Sequence, residues 1–99
     1  MKVNISFNLK AEENPAEFEK WVKEQFDKIM PAFKGAKSCE VLRVANTLQG
    51  NYPFQYMVQI ELESEMGLMM LPFTAGVPEL MKQFPTKVEN YTIFTAKNI

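Results

Sequence analysis

Histidine is absent from the 99-residue chain, cysteine occurs once, at Cys39, and the four glycines are scattered. The lack of histidine removes both the commonest general base and the commonest metal ligand, so no metal site is expected. A single cysteine cannot staple a fold and fits a reducing compartment. Dispersed glycines make no phosphate-cradling loop, and with Asp27 as the only aspartate there is no calcium-type loop. Neither sign of charge dominates: 11 basic and 12 acidic side chains leave a net charge of −1, too little field to hold a polyanion. Nucleic acid is therefore not expected as a partner. The longest apolar stretch, Met66 to Phe73, contains Gly67 and Pro72 and falls far short of the ~20 residues of a membrane-spanning helix. Met1–Leu9 alternates instead of running from basic to apolar, so no secretory leader is expected and a cytoplasmic location is.

The 46% hydrophobic share, with 23% charged, is that of an ordinary globular fold, and the length suits one domain, 1–99. Val3, Ile5, Phe7 and Leu9 alternate with polar residues, the period of a half-buried strand. Asn14-Pro15-Ala16-Glu17 then combines a good N-cap, a proline at the first helical position and a glutamate three residues after the cap. Phe18, Trp21, Val22, Phe26, Ile29 and Phe33 follow at helical spacing, with an end expected around Met30–Lys34. Ser38 to Leu48 reads as a second strand, Gln49-Gly50-Asn51 as a hairpin turn, and Phe54 to Leu62 as a third strand. A short helical stretch around Met66, Met69 and Met70 is interrupted by Pro72. Another runs from Pro78 to Phe84 with Pro85 closing it, and Tyr91 to Ile99 supplies a last strand. The order β-α-β-β-α-β is that of an α+β, ferredoxin-like domain: a four-stranded antiparallel sheet with two helices on one face.

The second face of that sheet would carry Asn4, Ser6, Asn8, Gln55, Met57, Gln59 and Glu61, with Arg43 or Glu40 according to the phase of the second strand. Amides outnumber the lysines and glutamates that usually decorate a wet face, and amides suit neutral hydrogen bonding in a closed site. Face-to-face pairing of two copies, a homodimer enclosing a polar-lined chamber, is the expectation. Glu61 is a candidate catalytic carboxylate if a dry chamber raises its pKa. Arg43, the only arginine, is a candidate to hold an enolate or carboxylate, with an ion pair to Glu40 or Glu61 as the alternative. Asn4, Gln59, Tyr56 and Met57 are candidate ligand-binding residues, Tyr56 also reading as a core tyrosine. Cys39 reads as core filler, and the methionines as core filler or as an adaptable wall for a flat apolar ligand. The irregular Gly67–Pro78 stretch could gate a pocket between helices and sheet.

This order of elements resembles that of the dimeric α+β barrel superfamily, in which two ferredoxin-like protomers pack their sheets together. That superfamily includes cofactor-free quinone-forming monooxygenases of polyketide pathways and histidine-dependent haem proteins; the missing histidine sets this chain apart from the latter. Tyr52-Pro53-Phe54-Gln55-Tyr56-Met57-Val58-Gln59-Ile60-Glu61-Leu62 leads into a Met-rich helix, and Leu80-Met81-Lys82-Gln83-Phe84 precedes Tyr91-Thr92-Ile93-Phe94. On these stretches the chain is similar to the REDY-like, HapK-type family of prodigiosin-type pyrrole antibiotic pathways. The resemblance implies secondary metabolism, no cofactor, and a small aromatic or apolar ligand. Two readings stand side by side. One is an enzyme acting on a planar aromatic intermediate by enclosure and hydrogen bonding; the other is a non-catalytic binding or carrier protein.

Overall fold

The computed structural model describes all residues, Met1–Ile99. Strand β1 (Lys2–Leu9) leads to helix α1 (Pro15–Ile29), which tightens into a 3₁₀ turn at Met30–Ala32. Strands β2 (Ala36–Arg43) and β3 (Tyr56–Leu62) follow, then the five-residue helix α2 (Met66–Met70), a second 3₁₀ turn at Leu71–Phe73, helix α3 (Val77–Lys87) and strand β4 (Val88–Ala96). The sheet runs β2-β3-β1-β4, every neighbouring pair antiparallel. This is the expected ferredoxin-like arrangement, with one more short helix than the β-α-β-β-α-β order requires.

The start of α1 follows from its sequence. Asn14 accepts a hydrogen bond from the Glu17 N–H at 3.1 Å, and Pro15 occupies the first turn, where its missing N–H costs nothing. Phe18, Val22, Phe26 and Ile29 are the buried stripe. They meet the covered sheet face, where Val3, Val58, Ile60 and Leu62 are buried. Phe7 lies at the centre, fully buried, with ring centroids of Phe84, Tyr56 and Phe18 at 4.8, 5.5 and 5.8 Å. Burying such a ring contributes roughly 1.5–3 kcal/mol, so this cluster holds the helices to the sheet.

Four local expectations are corrected. Strand β2 ends at Arg43 instead of Leu48, and 44–55 is a long connection with Gly50 at φ 77° instead of a tight hairpin. Asn8 and Gln55 hold it: Asn8 Nδ2 donates to Pro53 O at 3.0 Å, and the Gln55 N–H donates to Asn8 Oδ1 at 2.8 Å. Gln55 Oε1 in turn accepts from the Leu9 N–H at 2.8 Å. These two amides are thus spent on the connection. Helix α3 runs through Pro85 to Lys87, closed by the Val88 N–H on Phe84 O. Finally, the methionines are not core filler: Met66 and Met69 are 69% and 72% exposed, beside a Phe73 that is 87% exposed. The reason is backbone contact. Only Gly67 of α2 is buried, and a Cβ on Gly35 would sit 2.8 Å from Gly67 Cα, so α2 packs through its glycine and turns its thioethers outward. The reading of Gly67–Pro78 as a gate fails as well. Between helices and sheet the cavity among Ile5, Phe26, Leu80 and Phe84 measures about 10 Å³, no more than one water.

Candidate functional site

Strand register decides which side chains share a face, because successive residues point to opposite sides. On the face without helices, three rows cross the sheet from β2 to β4: Ser38–Glu61–Lys2–Ala96, Glu40–Gln59–Asn4–Phe94 and Leu42–Met57–Ser6–Thr92. On the helix side run Cys39–Ile60–Val3–Thr95 and Val41–Val58–Ile5–Ile93, with Arg43 beside Tyr56 and Phe7. The phase left open by the sequence is settled: Glu40 lies on the open face and Arg43 on the helix side. The six candidate residues therefore fall into two groups. Asn4, Met57, Gln59 and Glu61 come together on the open face; Arg43 and Tyr56 stand on the other side of the sheet and cannot line the same chamber.

The open face is not a flat wet surface. Asn4 and Ser6, on the central strand β1, are only 4% and 1% exposed. The 44–55 connection reaches over this end of the face, and the Tyr52 hydroxyl lies 2.7 Å from Ser6 Oγ. Gln59 Nε2 approaches the Met57 sulfur at 3.9 Å, which leaves the Asn4 amide outside the hydrogen bonds of this face. No buried side-chain nitrogen or oxygen lacks a partner, so the polar end of Asn4 reaches the surface between its larger neighbours. Leu42 and Phe94, 36% and 44% exposed, stand on the same face as apolar shoulders to this polar row. From the sequence Tyr52 reads as a residue near the hairpin tip that could rim a pocket or a dimer seam, and the structure places its hydroxyl on Ser6. That position, before Pro53 in a turn-rich segment, does not say which strand the segment folds onto.

On the helix side, Glu19 of α1 gathers Arg43 and Tyr56. Its carboxylate accepts from Arg43 Nε at 3.1 Å, from a terminal Arg43 nitrogen, and from the Tyr56 hydroxyl at 2.8 Å. The Arg43 hydrogen bond, followed by that of Tyr56, holds the Glu19 carboxyl below its usual range. Burial, and then the Glu19 hydrogen bond, push the Tyr56 phenol up to about 12, so it stays a protonated donor. The expected Arg43 partners, Glu40 and Glu61, lie on the opposite face. Glu19 itself reads from the sequence as one more charge on the wet side of α1. Cys39 faces the groove between α1 and β2; burial, then Asp27 and Glu40, raise its thiol to about 11, which removes thiolate character at neutral pH. No three acidic or thiol side chains converge into a metal-ligating group, and no helix is long and apolar enough to cross a membrane.

The family model described as REDY-like protein HapK matches residues 1–99. No curated protein sequence matches. Among solved structures, At3g17210 from Arabidopsis thaliana superposes with a TM-score of 0.85 at 11% identity, over 99% of this chain and 94% of that one. HapK from Hahella chejuensis gives 0.71 at 20% identity, over 100% and 95%. SnoaB from Streptomyces nogalater, described as a cofactor-independent oxygenase, gives 0.65 at 14%, over 99% and 95%. Two further neighbours, from Thermobifida fusca (TM-score 0.74) and Bacteroides fragilis (0.66), are described as dimeric ferredoxin-like proteins. At these identities the structural likenesses establish the shared fold, and the family model covers the chain from end to end.

Proposed function

Starting from the fact that the chain belongs to the REDY-like HapK family, we propose that it serves secondary metabolism, in a prodigiosin-type pyrrole pigment or polyketide pathway. It acts there, without a cofactor, on a planar aromatic intermediate. The site is the open sheet face, closed by the same face of a second copy. The observation that carries this reading is the row Glu40–Gln59–Asn4–Phe94 beside the Tyr52–Ser6 contact: a polar row with a shielded amide, bordered by exposed apolar side chains. A solvated sheet face has no need of apolar shoulders around a shielded amide, whereas a chamber that grips a flat ring and its carbonyl or N–H groups needs both. The dimeric description of the T. fusca and B. fragilis neighbours supports the pairing, and that of SnoaB supports chemistry without a cofactor.

In this arrangement Asn4 and Gln59 orient the intermediate, Met57 supplies an adaptable apolar wall, and Glu61 offers a carboxylate from the neighbouring row. A second reading, a carrier without catalysis, is favoured by the absence of histidine, which leaves the face without the commonest proton shuttle. One experiment separates the two. Asn4→Leu and Gln59→Leu are compared with the parent for turnover of the pathway intermediate and for its affinity. Loss of turnover by about tenfold or more with affinity retained supports the enzyme; parallel loss of affinity alone supports the carrier. If neither variant changes either quantity, the open face is not the site.

A further inference from the structure

At the far end of β2 the helix side carries an arrangement the open-face reading does not use. A cleft of about 390 Å³ opens where β2 and β3 run into the long connection, with Arg43, Val44, Asn46, Phe54, Gln55 and Tyr56 in its wall. That volume lies within the range of small-ligand sites. Its floor is tied down, since the Val44 N–H donates to Gln55 O at 2.8 Å and Gln55 is anchored to β1. The guanidinium is also held. Glu19 takes its Nε and one terminal nitrogen, and a third donor on the same carboxylate, the Tyr56 hydroxyl, braces it from the sheet side.

A guanidinium has five N–H donors in a fixed fork, and a single carboxylate uses one edge of it. Arg43 is 68% exposed at its side chain, so the remaining donors are open to a second acceptor from the cleft. The walls around them are mixed: Val44 and Phe54 are apolar, and Asn46 offers an amide. Grooves of similar size beside Cys39 and beside the exposed methionines have no such immobilised cation on a fixed floor.

We propose that this cleft is a binding site for small aromatic carboxylates, with Arg43 as the anchor for the carboxylate and Glu19 as the residue that positions Arg43. The site is distinct from the open-face chamber, lying past the last β2–β3 pair, Arg43–Tyr56, and away from the rows of that face, and it does not depend on pairing of two copies. Glu19 plays two opposed parts. It orients the guanidinium, and its own negative charge opposes an incoming anion, so affinity is set by the balance between them.

The test uses the full chain, ¹⁵N-labelled and titrated with 2-naphthoate as the anionic probe and 2-naphthamide as its neutral counterpart. Naphthoate is expected to shift the amide signals of 44–47 and 54–56, with naphthamide binding at least about tenfold more weakly. Arg43→Gln should weaken naphthoate by about tenfold or more, Arg43→Lys by less, while Glu19→Gln, which removes the opposing negative charge but keeps an amide oxygen to hold the guanidinium, should tighten it several-fold. A merely structural ion pair would not give opposite signs for its two partners. The spectra of the variants also report whether each remains folded. The proposal is overturned if 44–47 and 54–56 do not respond in the millimolar range, if acid and amide bind alike, or if Arg43→Gln leaves naphthoate affinity unchanged. Shifts confined to Asn4, Met57 and Gln59 would overturn this site and leave the open-face chamber standing.

Discussion

Arg43 shows how a residue can be legible in type and illegible in partner. A lone arginine within a strand is a conspicuous cation in any reading of the sequence, and an acidic partner was expected for it among the strand glutamates. Its partner is Glu19, 24 positions earlier in the chain, because the register of β2 on β3 turns Arg43 toward α1. Cys39 belongs to the same scale. Its half-buried position under α1 raises the thiol to about 11, with burial as the largest cause. The folded protein should therefore react slowly with iodoacetamide near pH 8, and the rate should climb as pH approaches 11, whereas the urea-unfolded chain should react with the profile of an ordinary thiol near 9. The sign for stability follows: between about 9 and 11 the unfolded chain gives up the thiol proton and the native state keeps it, so stability falls as pH rises through that window. Rapid alkylation of the native protein at neutral pH would contradict the burial assigned to Cys39.

Among the elements, α1 and β3 were legible because their patterns are long and their caps explicit. The β2–β3 connection was not. Alternation continues past Arg43 to Leu48, yet the strand stops, because Asn8 and Gln55 compete successfully for the backbone of the connection and draw Pro53 and Tyr52 toward β1. Those bonds are long-range, and no local pattern announces them. Helix α2 was found by composition but misjudged in role, since its packing residue is the one without a side chain. At Gly35 any Cβ would meet the Gly67 backbone at 2.8 Å, and backbone cannot move aside as a side-chain tip can. Gly35→Ala should therefore destabilise the protein by about 1–3 kcal/mol, read as a lowered urea midpoint, with increased amide exchange concentrated in Met66–Met70. An unchanged midpoint would show that α2 is not seated on Gly35.

For the whole molecule, one layer of sheet is covered by helices and the other side carries Leu42, Phe94 and a shielded amide row. Edge strand β4 is exposed along nearly its whole length, Ile93 and Phe94 included. Both features are costs for a lone chain of 99 residues, which buries only about 60–65% of the surface its unfolded form exposes. The protein is therefore expected to run as a dimer in size-exclusion chromatography with light scattering at micromolar concentration. A paired Leu42→Glu and Phe94→Glu variant, changing only surface positions of the open face, should run as a monomer with its far-UV circular dichroism retained. If the parent is monomeric, the closed chamber is lost, while the cleft at Arg43 is untouched.

Local chemistry in the chain decided the kinds of element and their order: period-two alternation for the strands, the Asn14-Pro15 cap and the aromatic stripe for α1, and the exclusions that follow from missing histidine and balanced charge. Those signals act between residues a few positions apart, so they survive without knowledge of the rest. Tertiary structure alone decided which side Arg43 faces, that Glu19 meets Tyr56, that Tyr52 caps Ser6 and that the methionines turn outward. Each of these depends on register or on the approach of distant backbone, where a shift of one residue reverses every side chain, and alternation is identical in either phase.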